Sequence, residues 1–260
     1  MDNIFPIFKK ELRSYYFSIV AYAVTSAYLF LMSIFFYSIL KNYTNQSFRF
    51  MNMQRYNQGQ SFDMNLTQHV LGPMMGNMHV IMLFLIPLLT MRIFAEEKKS
   101  GTIELLFTYP LKDWATILGK YLAVSMVFIT MIVLTLAYPI FLISYGSLEM
   151  GTVFSTYLGI ILMGIGFISF GIFCSSLSEN QIVAAGLTFV GGLFFWIIGW
   201  VGNTGNPVLD NILSTVSFFT HFENFAKGLI DTSDFIYYIL FAFFCLFLTS
   251  KVLESNKWRG

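Results

Sequence analysis

Residues 92–120 read R-I-F-A-E-E-K-K-S-G-T-I-E-L-L-F-T-Y-P-L-K-D-W-A-T-I-L-G-K, the densest mixture of both charge signs in an otherwise oily chain. Long apolar runs lie on either side of it, so the stretch sits in water between two membrane segments. Gly101-Thr102 can start a short helix with Thr102 as its cap. Glu104 then falls in the first turn, where the helix dipole favours an anion. Ile103, Leu106 and Phe107 would share one apolar face, available to fill a groove on a partner. Tyr109-Pro110 ends the helix, and Asp113 can cap the next one. The apolar face has no use inside a solvated hairpin, which makes this loop a docking surface for a soluble protein.

Composition places the loop in context. The chain has 260 residues, of which 56% are hydrophobic and only 11% charged, with mean hydropathy +0.67. A soluble domain would carry charge on about a quarter of its residues. The surface therefore faces lipid, and the fold class is an all-α integral membrane protein in one domain, 1–260. Runs of about twenty apolar residues, enough to cross a bilayer core, occur near 16–40, 72–91, 117–145, 152–178, 181–201 and 234–250. That is six spans. Pro87 and Pro139 should kink the second and third.

Lys and Arg fix the orientation. With the N-terminus inside, eleven of the fifteen basic residues are cytoplasmic, and only Lys41, Arg49, Arg55 and Lys227 are outside. Both termini and the 92–120 loop then face the cytoplasm of a bacterial inner membrane. Ahead of the first span, Ile4, Phe5, Phe8 and Leu12 share one helical face, while Lys9, Lys10 and Arg13 take the other. This is an amphipathic helix in the interface. The length of the first run, with no small-residue cleavage site after it, argues against a removable signal peptide.

Residues 41–68 read as an Asn- and Gln-rich outer loop. Residues 202–233 are too apolar for a loop and read as one or two short helices at the outer leaflet. Asn206-Pro207 opens them, Gly228 closes them, and their role is packing.

Several chemistries are excluded. The Gly119-Lys120 pair is followed by Tyr121 and has Trp114 where a phosphate-binding loop needs its first glycine. Val70, Val80 and Phe222 follow the three histidines, so no H-E-x-x-H zinc motif exists, and no G-x-S-x-G occurs. Cys174 and Cys245 are isolated in apolar runs, which offers neither a disulfide framework nor a zinc site. A net charge of +1 argues against a nucleic-acid partner. The interiors of the spans hold no Asp, Glu, Lys or Arg, the groups on which ion-coupled carriers depend. His69 and His79 read as interfacial side chains at the outer end of span two. The chain is not an enzyme, and its energy must come from elsewhere.

Small residues recur at four-residue spacing as Ala184, Thr188 and Gly192, and again as Gly171 and Ser175. Such faces permit close helix approach, either within the bundle or against a second subunit.

The string F-A-E-E-K-K-S-G-T-I-E-L-L-F-T-Y-P, with G-K-Y-L-A soon after, resembles permease subunits of the ABC-2 transporter superfamily. Their loop after span two has the form E-x-x-x-G-T-x-E-x-L-x-x-x-P followed by G-K, here Glu97, Gly101, Thr102, Glu104, Leu106, Pro110, Gly119 and Lys120. The string H-F-E-N-F-A-K-G-L-I-D-T-S-D-F-I-Y-Y is similar to the segment before the last span in the gliding-motility-associated branch, a close relative of the permease of nitrous oxide reductase maturation. The resemblance runs over essentially the whole chain. It implies a permease half that pairs with a second copy or paralogue and with two cytoplasmic ATPases that carry the ATP and Mg. No cofactor is implied in this chain. The ATPase contact would be Glu97, Gly101, Thr102, Ile103, Glu104, Leu106, Phe107, Tyr109 and Pro110. Membrane lipid and a periplasmic or extracellular accessory protein are further expected partners. A second use stays open: a membrane anchor that couples an ATPase to mechanical or assembly work.

Overall fold

The computed structural model describes residues 4–56, 65–102, 113–200 and 206–257. All regular structure among the described residues is helical. In chain order the helices are α1 (Ile4–Tyr16), α2 (Ile19–Tyr56), α3 (Gly72–Thr90), α4 (Ala95–Lys99), α5 (Asp113–Leu134), α6 (Ala137–Ile143), α7 (Met150–Leu177), α8 (Gln181–Ile197), α9 (Pro207–Val216), α10 (Phe218–Ala226) and α11 (Thr232–Lys257). A π-helical turn, Thr67–Leu71, leads into α3.

Five stretches are long and apolar enough to cross a membrane: Ile19–Asn52, Thr67–Lys99, Asp113–Ile143, Met150–Leu177 and Thr232–Ser255. They correspond to five of the six expected spans. The sixth, α8, has 17 residues and falls short of that length.

Expectation and structure part at the first span. The segment read as an outer loop from Lys41 continues α2 as helix to Tyr56. The cause is local: no glycine or proline interrupts 19–56, and Asn, Gln and Ser cost too little in a helix to end one already nucleated. At about 1.5 Å per residue, the 38-residue helix outruns a bilayer core of about 30 Å.

The third span breaks where Pro139 requires. Proline has no N–H for the carbonyl four residues back, and α5 gives way to α6 through a turn at Thr135-Leu136. The Thr135 carbonyl accepts instead from Tyr138 N at 3.1 Å and from Tyr157 Oη at 3.0 Å. A tight turn and a neighbouring helix together supply what the proline removes, the condition for a break at membrane depth.

At the centre lies α7. It packs against α3, α5, α8, α10 and α11, and its own Ile160, Phe167, Ile168 and Ile172 are fully buried. Glycine makes the close approaches feasible. A Cβ on Gly164 would meet the Phe128 ring at 2.2 Å, and one on Gly171 would meet Thr90 Oγ1 at 2.3 Å. Lipid offers no hydrophobic drive between helices, so this interlocking supplies the cohesion.

His79, expected at the interface, is instead buried on α3, with Nδ1 at 2.8 Å from the Met75 carbonyl and its ring edge-on to Phe222 at 3.9 Å. The helix α10 covers it.

Candidate functional site: the loop platform

The loop that follows α3 is built onto three other elements. Thr90 ends α3, the chain turns through Arg92 and Ile93, and α4 begins at Ala95. A helix start leaves backbone N–H groups without partners. Here the cap comes from another helix: Ser175 Oγ on α7 accepts from Phe94 N at 3.1 Å and Ala95 N at 3.2 Å, and donates to the Met91 carbonyl at 3.1 Å. Further along, Lys98 Nζ donates to the Ser176 carbonyl at 2.6 Å. The start of the loop is thereby bolted to the end of the central helix.

A second tie runs through Lys120 in the second turn of α5. This side chain is only 4% exposed. A buried ammonium must be paired and hydrogen-bonded, and Lys120 Nζ reaches Glu97 Oε1 at 2.6 Å, the Ile93 carbonyl at 3.2 Å and Glu11 Oε1 at 3.4 Å. It also lies 5.4 Å from the centre of the Phe94 ring. One cation therefore joins the amphipathic helix, the loop and the third span. The neighbouring Gly119 lets α1 close in, since a Cβ there would meet Ile7 Cγ2 at 2.7 Å and the Phe8 nitrogen at 3.3 Å. Tyr15 completes the seam by donating to the Leu89 carbonyl at 3.1 Å, and burial raises its pKa.

The separated pieces of the sequence motif, Glu97 and Gly119-Lys120, thus meet in space. Glu97, expected at the ATPase contact, places its carboxylate on Lys120, because a buried cation needs a partner. Gly101 ends α4 with φ +70°, the left-handed conformation typical of a helix C-terminus. Thr102 Oγ1 bonds backward, to Ser100 Oγ at 2.8 Å and the Glu97 carbonyl at 3.4 Å. Ile103, Glu104, Leu106, Phe107, Tyr109 and Pro110 lie outside the described residues.

Of the two uses open to the small residues of α8, the chain's own packing takes them. Ala184, Thr188 and Gly192 are the buried residues of this helix, and a Cβ on Gly192 would meet the Phe167 ring of α7 at 2.2 Å. That face is turned to the chain's own bundle. The exposed face of α8 carries Ile182, Val183, Leu187, Val190, Phe194 and Ile197.

With this geometry in hand, comparison with models of protein families gives a match over residues 4–253 to the ABC-2 family transporter protein. The chain belongs to the ABC-2 transporter family. Among curated proteins no similar chain is found. An ABC-2 membrane protein is the transport component of its system and not itself the catalyst, and this family generally works with cytoplasmic ABC ATPase subunits.

The opposite end of this ABC-2 chain carries a polar cluster that sequence reasoning passed over as packing. Asp234, 3% exposed at the start of α11, lies 2.6 Å from His221 Nδ1 and accepts from Asn224 Nδ2 at 2.8 Å. His221 Nε2 faces the Thr215 carbonyl at 3.1 Å, and the ring stacks on Tyr237 at 3.9 Å. Tyr237 and Tyr238 donate to the carbonyls of Val216 and Phe218, each at 2.7 Å. The available signal was a carboxylate at the head of an apolar span, thirteen residues after a histidine.

Proposed function

We propose that this chain is one permease half of an ABC transporter, driven by partner ATPases through the loop that begins at Arg92. The observation that carries the reading is the Glu97–Lys120–Glu11 node with its Ser175 cap. A force applied to a surface helix moves spans only if the connection is stiff. This loop is held by a buried ion pair on one side and by hydrogen bonds to the central helix on the other, so a push at 103–110 reaches α5, α7 and α1 together.

In this reading α8 is the sixth span: 17 residues of α-helix rise about 26 Å, and the 3₁₀ turn Ile198–Trp200 lengthens it. Both termini and the platform face the cytoplasm of a bacterial inner membrane, as the excess of Lys and Arg at that end requires. ATP and Mg act in the partner subunits. A second copy or paralogue completes the pathway, and the gliding-motility-associated branch is the one its loop and pre-span strings favour.

The test is co-purification with the cognate ATPase. Replacing Ile103, Leu106 and Phe107 together with Asp should abolish it, by at least tenfold, while the protein still inserts in the membrane. Undiminished co-purification would remove the loop from the coupling path. Substrate-dependent ATP hydrolysis in liposomes is expected for a permease. Its absence across a broad substrate screen, with the ATPase bound, would favour the anchor role.

A further inference from the structure

A cavity of about 400 Å³ opens beside the node, between α1, the start of α2 and the end of α3. That is within the usual range of small-molecule sites, about 300–1,000 Å³. Its walls differ in chemistry from one side to the other. Val20, Val24 and Leu88 make one part apolar, and Ser14, Arg92 and Glu97 make the other polar. Three cations and three carboxylates line it, so its charge is balanced: Lys10, Arg92 and Lys120 against Glu11, Glu96 and Glu97.

Two buried atoms on this lining stand without a hydrogen-bond partner among the described residues. One is a donor, Arg92 Nε, and the other an acceptor, Glu97 Oε2. Among the described residues Arg92 makes no ion pair, even though Glu96 follows it by one helical turn. Buried polar groups left unmatched destabilise the fold, more so when charged. A single occupant that accepts at one point and donates at another would relieve both.

We propose that the cavity binds a phospholipid with a primary ammonium headgroup, drawn from the leaflet in which α1 lies. Its phosphodiester accepts from Arg92, its ammonium donates to the Glu97 and Glu96 carboxylates, and its chains run along Val20, Val24 and Leu88 into the bilayer. The charge balance selects a zwitterion over an anion. The demand for a donor selects a primary ammonium over a trimethylated one, which has no N–H to give. The lipid then ties α1 to α3 beside the Lys120 node, a contact that does not depend on any ATPase.

Native mass spectrometry of the detergent-purified full chain tests this, with phosphatidylethanolamine, phosphatidylcholine and phosphatidylglycerol offered in equal amounts. The expected result is one phosphatidylethanolamine retained per chain, in at least tenfold preference to phosphatidylcholine. Arg92→Gln should lose that retention about tenfold, and Lys9→Gln, which is not on the lining, should keep it. Val24→Trp, which leaves both polar partners in place and fills the apolar wall, should also lose it; this variant decides the matter if Arg92→Gln fails to fold. Equal retention of the three lipids, or retention unchanged in Arg92→Gln and Val24→Trp, overturns the proposal. So does thermal protection by free phosphoethanolamine equal to that by the lipid, since the ligand would then be a soluble one.

Discussion

Among the described residues, each end of the bundle buries a Lys or an Asp at the margin of a span, and the two ends use it differently. At the loop end Lys120 joins residues 109 and 23 positions away in sequence. At the other end Asp234 joins residues only 13 and 10 positions away. The first is a long-range tie that gathers two separate elements, the amphipathic helix and the loop, onto the third span. The second closes a local unit in which α9 and α10 fold back on the start of α11. The loop end is therefore joined to the bundle through its buried cation, whereas the far end has a local ion pair and reaches the bundle through Ser155 and Thr156 of α7, which donate to the Phe225 carbonyl.

The sharpest way to break that distinction is to remove each buried charge in turn. Lys120→Met leaves Glu97 and Glu11 facing one another across an apolar stem. Stripping one partner from a buried pair costs about 3–5 kcal/mol, and the partial exposure of the two carboxylates puts the expected loss near the low end. Thermal unfolding in detergent reads the loss. Hydrogen exchange should show α1 and α4 opening together, with α9 and α10 unaffected. Asp234→Ala comes next, at about 2–3 kcal/mol for the charge-assisted hydrogen bonds from His221 and Asn224. Its exchange signature should be confined to 207–226. If Asp234→Ala loosened α1, or Lys120→Met loosened α10, the two ends would be one cooperative unit and the contrast would fail.

The elements written in backbone chemistry were legible from sequence. Pro139 announced its break, and Gly228 announced the end of α10, where φ is +84°. Apolar length marked five of the spans, because crossing a bilayer imposes a count that composition alone can meet. What sequence could not supply was partner choice. Glu97 belongs to a string of charges that reads as solvated surface, and only the arrival of Lys120 from the next helix turns it inward. Ser175 looked like a small residue for helix packing. Its hydroxyl proved to be the cap of α4, a helix some eighty positions earlier in the chain. The helical run past Lys41 was missed for the opposite reason. Its polar residues were weighed by their affinity for water, when the absence of any helix breaker was the stronger fact.

The smallest expected effect separates backbone from packing at the two ends. Gly101 and Gly228 both hold left-handed φ, +70° and +84°, and an alanine in that conformation costs about 1–2 kcal/mol. Their surroundings differ. Nothing lies within 4 Å of a Cβ built on Gly101, whereas one on Gly228 would sit 2.9 Å from Thr152 Oγ1. Gly101→Ala should therefore show the backbone cost alone, about 1 kcal/mol at the open edge of the platform. Gly228→Ala should exceed it, because Thr152 donates to Glu149 at 3.1 Å and must give way to admit the methyl. Gly228→Ala combined with Thr152→Ala should fall back toward the Gly101→Ala value. An equal loss for the two single variants would mean that Thr152 yields freely and that the cap at the far end is no tighter than the loop. A larger loss at Gly101 would mean that the platform is the stiffer end in its backbone as well as in its ion pairs.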